Sequence, residues 1–136
     1  MGKAYEAYLN TLTFKNEATT TIPAYTFVRL CTTNNSVDII TTRGTVPPVG
    51  ITQVAINPDD TGKVAIDGMS RLRMAGTGYT TMAVTTPMNI GANASGNGVV
   101  LTTSVTLELG ARGFSTFAAS DIVTVKIANF RAVYRI

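Results

Sequence analysis

Histidine and tryptophan are absent from the 136 residues, and cysteine occurs once, at Cys31. Without histidine there is no Ser-His-Asp or Cys-His constellation and no imidazole metal site. One cysteine closes no intramolecular disulfide and builds no zinc thiolate site. Cys31 follows the apolar run Tyr25 to Leu30 and has no imidazole to activate it, so it reads as a buried, inert thiol. Charge is also scarce, at 14% of residues, against about a quarter in an ordinary domain. The eight acids sit mostly in apparent turns and leave little for paired-carboxylate chemistry. Asp59-Asp60 offers oxygen ligands to Ca²⁺ but too few of them, and reads as a solvated turn. No Gly-x-x-x-x-Gly-Lys-Ser/Thr stretch exists, and no helix start follows Ala75-Gly76-Thr77-Gly78 to make it a phosphate cradle. The sequence therefore predicts no catalytic residue, no metal, no cofactor and no enzymatic activity.

Long apolar runs are missing too. Nothing approaches the roughly 18 residues that span a bilayer, and the segment from Met1 to Glu17 carries no secretory h-region. Glu6 excludes a myristoylation signal. A soluble chain made in a cytoplasm, with no membrane partner, is expected. Eleven Lys and Arg against eight acids give a net charge of +3. The cations are scattered rather than clustered, which speaks against a nucleic-acid partner. Arg71 and Arg73 would share one strand face and Arg131 and Arg135 another, and each pair reads as a solvated face.

What is present is β-forming. Threonine supplies about one residue in six, and Val, Ile and Thr dominate the middle of the chain. These β-branched residues lose rotamer freedom in helices and suit pleated surfaces. Twelve Gly and five Pro punctuate them, as in a domain of many short strands. Strands are predicted from Tyr25 to Cys31, Val37 to Thr42, Val49 to Ala55, Lys63 to Asp67, Met69 to Met74, Met88 to Ile90, Val99 to Leu101, Val105 to Leu109 and Ile122 to Ile127, with Phe130 to Ile136 closing the chain. Residues 110–119 read as a loop anchored by Phe114 and Phe117. Asn57-Pro58-Asp59-Asp60-Thr61-Gly62 has reverse-turn chemistry. No amphipathic helix of 12 or more residues is visible. Residues 1–18 differ from the rest and read as an N-terminal arm, extended or with one helical turn.

The chain also reads as two related halves, 19–67 and 80–127, inside one β domain at 19–136. Ile22-Pro-Ala-Tyr-Thr-Phe-Val-Arg-Leu30, a turn, and Val37-Asp-Ile-Ile-Thr41 match Ala83-Val-Thr-Thr-Pro-Met-Asn-Ile90, a turn, and Gly98-Val-Val-Leu-Thr102. Val49-Gly50-Ile51 matches Leu109-Gly110-Ala111, and Gly62 to Ile66 matches Val123 to Ile127. The fold class expected is all-β, a small β-sandwich or barrel-like domain of two similar halves with an N-terminal arm.

That layout resembles the capsid cement (decoration) proteins of tailed bacteriophages. The family's Ile-Pro-Ala-Gly-Thr-x-Val-x-Leu opening has its counterpart at Ile22 to Leu30. Its Val-x-Gly-Ile/Val strand corresponds to Pro48-Val49-Gly50-Ile51. The Gly-x-x-Val-x-Val-x-x-x-Gly strand corresponds to Gly62 to Gly68, and the second-half Gly-x-x-Val to Asn97-Gly98-Val99-Val100. The resemblance covers roughly residues 19–127, and order and spacing carry it. Two departures stand out. Tyr25 replaces the family's glycine, so this turn is not expected to need a positive φ. The aromatic N-terminal segment lies outside the pattern.

The resemblance implies a structural virion protein on the outer surface of the head, made in the host cytoplasm. It would bridge subunits of the major capsid protein and act as a homo-oligomer, a trimer in preference to a dimer. A head-fibre base, a tail-spike module and a carbohydrate-binding β module are the alternatives. Interfaces favour Tyr, Phe, Met and Arg at their anchors. The candidate partner-binding residues are Tyr5, Tyr8, Leu9 and Phe14 on the arm, Tyr79 and Met82 in the middle, and Tyr134 near the end.

Overall fold

The computed structural model describes residues 9–41, 48–76, 88–101, 109–114 and 117–128. Alternating β-branched positions become strands. β1 (Asn10–Asn16), β2 (Phe27–Leu30), β3 (Ser36–Ile39), β4 (Gly50–Thr52) and β5 (Thr61–Asp67) close into a barrel in the order β1-β3-β2-β4-β5. Its neighbours are antiparallel except β1 and β3, whose short parallel pairing of Lys15 with Ser36 and Asn16 with Val37 completes the circle. β6 (Met69–Arg73), β7 (Met88–Ala92), β8 (Gly98–Val100), β9 (Leu109–Gly113) and β10 (Ile122–Ile127) form a second sheet in the order β6-β10-β9-β7-β8. No helix occurs among the described residues. The fold is all-β, as the composition predicts.

The two sheets follow one pairing pattern. β1 sets Leu12 opposite Val64 of β5, and β6 sets Ser70 opposite Val125 of β10. Thr52 of β4 also faces Val64, and Gly113 of β9 also faces Val125. Val28 of β2 lies between Gly50 and Ile39, as Ile90 of β7 lies between Ala111 and Val100. The parallel closure recurs as one bridge, Met74 to Gly98. Backbone bonds repeat with it. Asn16 N–H donates to the Asp60 carbonyl at 2.9 Å and Met74 N–H to that of Asp121 at 2.8 Å. Glu17 N–H donates to Val37 and Ala75 N–H to Gly98, both at 2.9 Å.

Several local expectations change. Residues 10–16, expected in the arm, form a full barrel strand, because Phe14 and Asn16 are buried inside. Residues Gly110 to Gly113, expected in a loop, belong to β9. Phe117 is buried, but Phe114 is 53% exposed. Tyr25, whose side chain argued against a left-handed turn, adopts φ 61°.

Two apolar clusters hold the fold. Phe14, Ile22, Val28, Val37, Ile56 and Val64 fill the barrel. Asn16 is fully buried among them. Its side-chain amide donates to the carbonyls of Ile56 at 2.8 Å and Thr20 at 3.0 Å, and its side-chain oxygen accepts from Ala18 N–H at 2.7 Å. The second cluster joins the sheets. Phe27, Ile51 and Ala65 point out of the barrel, opposite Val28 and Val64 by strand alternation. They pack in one cluster with Leu72, Ile90, Ala111 and Val125.

Phe27 is the centre of that seam. Its N–H donates to the Gly96 carbonyl at 2.8 Å, and a Cβ at Gly110 would fall 2.7 Å from its Cε1. Gly96, at φ +82°, has no room for a side chain against Thr26 and the Phe27 carbonyl. Arg73 N–H to the Tyr25 carbonyl, at 2.8 Å, adds a further bond across the seam.

Candidate interaction surface at the seam

A cleft of about 300 Å³ opens where the sheets meet, lined by Leu9, Tyr25, Gln53, Met69, Ser70, Arg71 and Thr124. Its floor is tied down. Gln53 Nε2 donates to Ser70 Oγ at 2.9 Å, and Ser70 Oγ donates to the Arg71 carbonyl at 2.9 Å. Tyr25 is held from both halves: its N–H donates to the Thr52 carbonyl and its carbonyl accepts from Arg73 N–H, each at 2.8 Å. Thr52 Oγ1 fixes the same turn by donating to the Pro23 carbonyl at 2.7 Å and accepting from Thr26 N–H at 3.1 Å. These bonds impose the left-handed φ, which is a disfavoured state for a bulky L residue.

Beside the cleft lies a cationic sheet face. Arg71 sits opposite Thr124 and Arg73 opposite Ile122. Lys126 sits opposite both Met69 and Arg112. Directly opposed residues share a face, so Arg71, Arg73, Lys126 and Arg112 project to one side. The face spans about 10 Å, two interstrand spacings. Lys126 pairs with Asp67 at 3.5 Å. Elsewhere Lys15 contacts Glu17 and Asp59, and Arg29 contacts Asp38. Among the described residues Arg71, Arg73 and Arg112 take part in no ion pair.

Burial pushes the Cys31 thiol above its ordinary value, Asp38 and Glu17 add to this, and Arg29 opposes it. No group of three or more Cys, Asp or Glu among the described residues is placed to hold a metal ion.

The sequence candidates separate. Leu9 lines the cleft and packs against the seam cluster. Phe14 is buried inside the barrel, so its ring is core and is not presented to a partner. Tyr5, Tyr8, Tyr79, Met82 and Tyr134 lie outside the described residues. Tyr25, Gln53, Met69, Ser70 and Thr124, which also line the cleft, were not among the sequence candidates, and Arg71, read as solvated, is exposed. The available signal was Tyr25, a bulky residue where the family pattern places glycine.

The arrangement defines a two-sheet all-β module. No family model matches the chain, and no curated protein matches it. Among solved structures the fold is similar to the head fibre gp8.5 N base of bacteriophage phi29, with TM-score 0.64 and 12% identity over 93% of this chain and 99% of that one.

Proposed function

We propose that this chain is a structural virion protein that binds the outer surface of a phage head and bridges subunits of the major capsid protein. The observation that carries the reading is the fold shared with a head fibre base along nearly the whole of both chains. The low charge and the cement-like order of motifs support it independently. The mechanism is burial rather than catalysis. A standard interface hides about 1,600 Å² in total, and many copies that bind only the assembled shell stabilise it by mass action. A homo-oligomer, a trimer in the first instance, would present several such surfaces together.

A second reading has its own observation. The similar structure is the base of a fibre, so this chain would instead anchor a projecting appendage at a few head positions. Quantitative mass spectrometry of purified virions separates the two. A copy number comparable to the major capsid protein supports cementing. A small fixed number supports the fibre base. Absence from virions overturns both.

A further inference from the structure

We propose that the seam cleft and the arginine face beside it form a docking site for an acidic protein segment, with one Asp or Glu side chain entering the cleft against Arg71. The proposal does not rest on the virion reading, and a failure of either leaves the other standing.

Charge gives the first argument. No acid among the described residues lines the cleft. The chain after Asp67 holds six Lys and Arg against two acids, Glu108 and Asp121. Arg71 is exposed, lacks an ion-pair partner among the described residues, and lies in line with Arg73 on the same strand face. A guanidinium presents a rigid fork of donors matched to a carboxylate. Arg112 on the same face extends the attraction to neighbouring acids of one segment.

Shape gives the second. A volume of about 300 Å³ admits a side chain or two and not a folded element. Leu9 and Met69 supply apolar walls, while Gln53, Ser70 and Thr124 supply polar ones. Tyr25 is the third argument. Glycine would occupy its left-handed turn without strain, yet the chain places there a ring that lines the cleft. Tyrosine, methionine and arginine together are the composition of interface anchors.

The test uses the full chain labelled with ¹⁵N and a hexaglutamate peptide, with hexaglutamine and a DNA oligonucleotide as comparisons. Saturable amide shifts centred on Tyr25, Gln53, Arg71 and Thr124 with hexaglutamate, and none with hexaglutamine, are expected. R71Q should weaken that binding about tenfold, the worth of one charge-assisted pair. Y25G should weaken it too, with a melting temperature equal to or above that of the parent, because glycine relieves the backbone. No shifts at the cleft, binding unmoved by R71Q, or DNA binding of equal strength on the same residues would each overturn the proposal. If Y25G fails to fold, R71Q on its exposed side chain still decides.

Discussion

The two sheets share a backbone plan and differ in what they show on the same face. In the barrel, Phe27 faces Ile51 and Ile51 faces Ala65. In the second sheet the corresponding row is Asn89 facing Arg112 and Arg112 facing Lys126. The first row is fully buried in the seam, while the second is exposed. Changing alternate residues converts an adhesive face into a charged one without altering a strand. The adhesive face is used once, to join the halves. Repeated on the second sheet, it would leave an uncovered apolar patch of the kind that recruits further copies.

The largest test of that contrast is at the matched positions Phe27 and Asn89. Phe27→Ala removes the ring seated against Gly110 and should destabilise the protein by about 3–5 kcal/mol, read from urea denaturation. Asn89→Ala should change stability by no more than about 0.5 kcal/mol, as at other exposed sites. Equal effects would mean that the seam is not where the halves are held.

The closures of the sheets differ more quietly. Asn16 and Met74 occupy matching places, each donating its N–H across the closing turn. Asn16 bonds three backbone groups with its side chain, whereas Met74 fills space at 1% exposure. Asn16→Ala removes all three bonds, leaving the Ile56 carbonyl with Ile22 N–H alone and Ala18 N–H without its side-chain acceptor, and should cost about 1–3 kcal/mol. Met74→Leu conserves volume and should cost less than about 1.5 kcal/mol. The same denaturation measurement ranks them.

The smallest effect is expected at Cys31, which matches Asn93 in the second sheet: Cys31 N–H donates to Ser36 at 3.0 Å and Asn93 N–H to Asn97 at 2.9 Å. Asn93 Oδ1 also accepts from the N–H groups of Ser95 and Asn97, a role a thiol fills poorly. Because burial raises the Cys31 pKa, its thiolate is rarer at any pH below that value than in the unfolded chain. Iodoacetamide labelling followed by mass spectrometry at pH 8 should be slower in the native protein than in urea.

Much of this fold was legible. Strands announced by β-branched alternation, such as Lys63 to Asp67 and Ile122 to Ile127, are where the pattern puts them. What failed was the reading of single residues whose role depends on a distant neighbour. The N-terminal polar stretch concealed β1, since Phe14 and Asn16 turn inward only once β5 lies beside them. Matching Val49-Gly50-Ile51 to Leu109-Gly110-Ala111 aligned glycine with glycine, but strand register sets Gly50 and Ala111 at equivalent places. The two glycines answer different neighbours. A Cβ at Gly50 would overlap the Ala65 carbonyl, and one at Gly110 would meet the Phe27 ring. The cleft was invisible for the same reason, being assembled from Leu9, Tyr25, Gln53, Arg71 and Thr124, which are spread along most of the chain.

The seam has a consequence for the protein's birth. Every strand of the barrel has been made once Asp67 leaves the ribosome, and among the described residues its interior cluster draws on no later one. Phe27, Ile51 and Ala65 must still wait for Leu72, Ile90 and Val125. At about 5–20 residues per second that interval lasts about 3–12 s, in which a nearly finished barrel shows a greasy flank to the crowded cell. The nascent first half is thus a natural client for chaperones, and the moment of greatest aggregation hazard falls midway through translation.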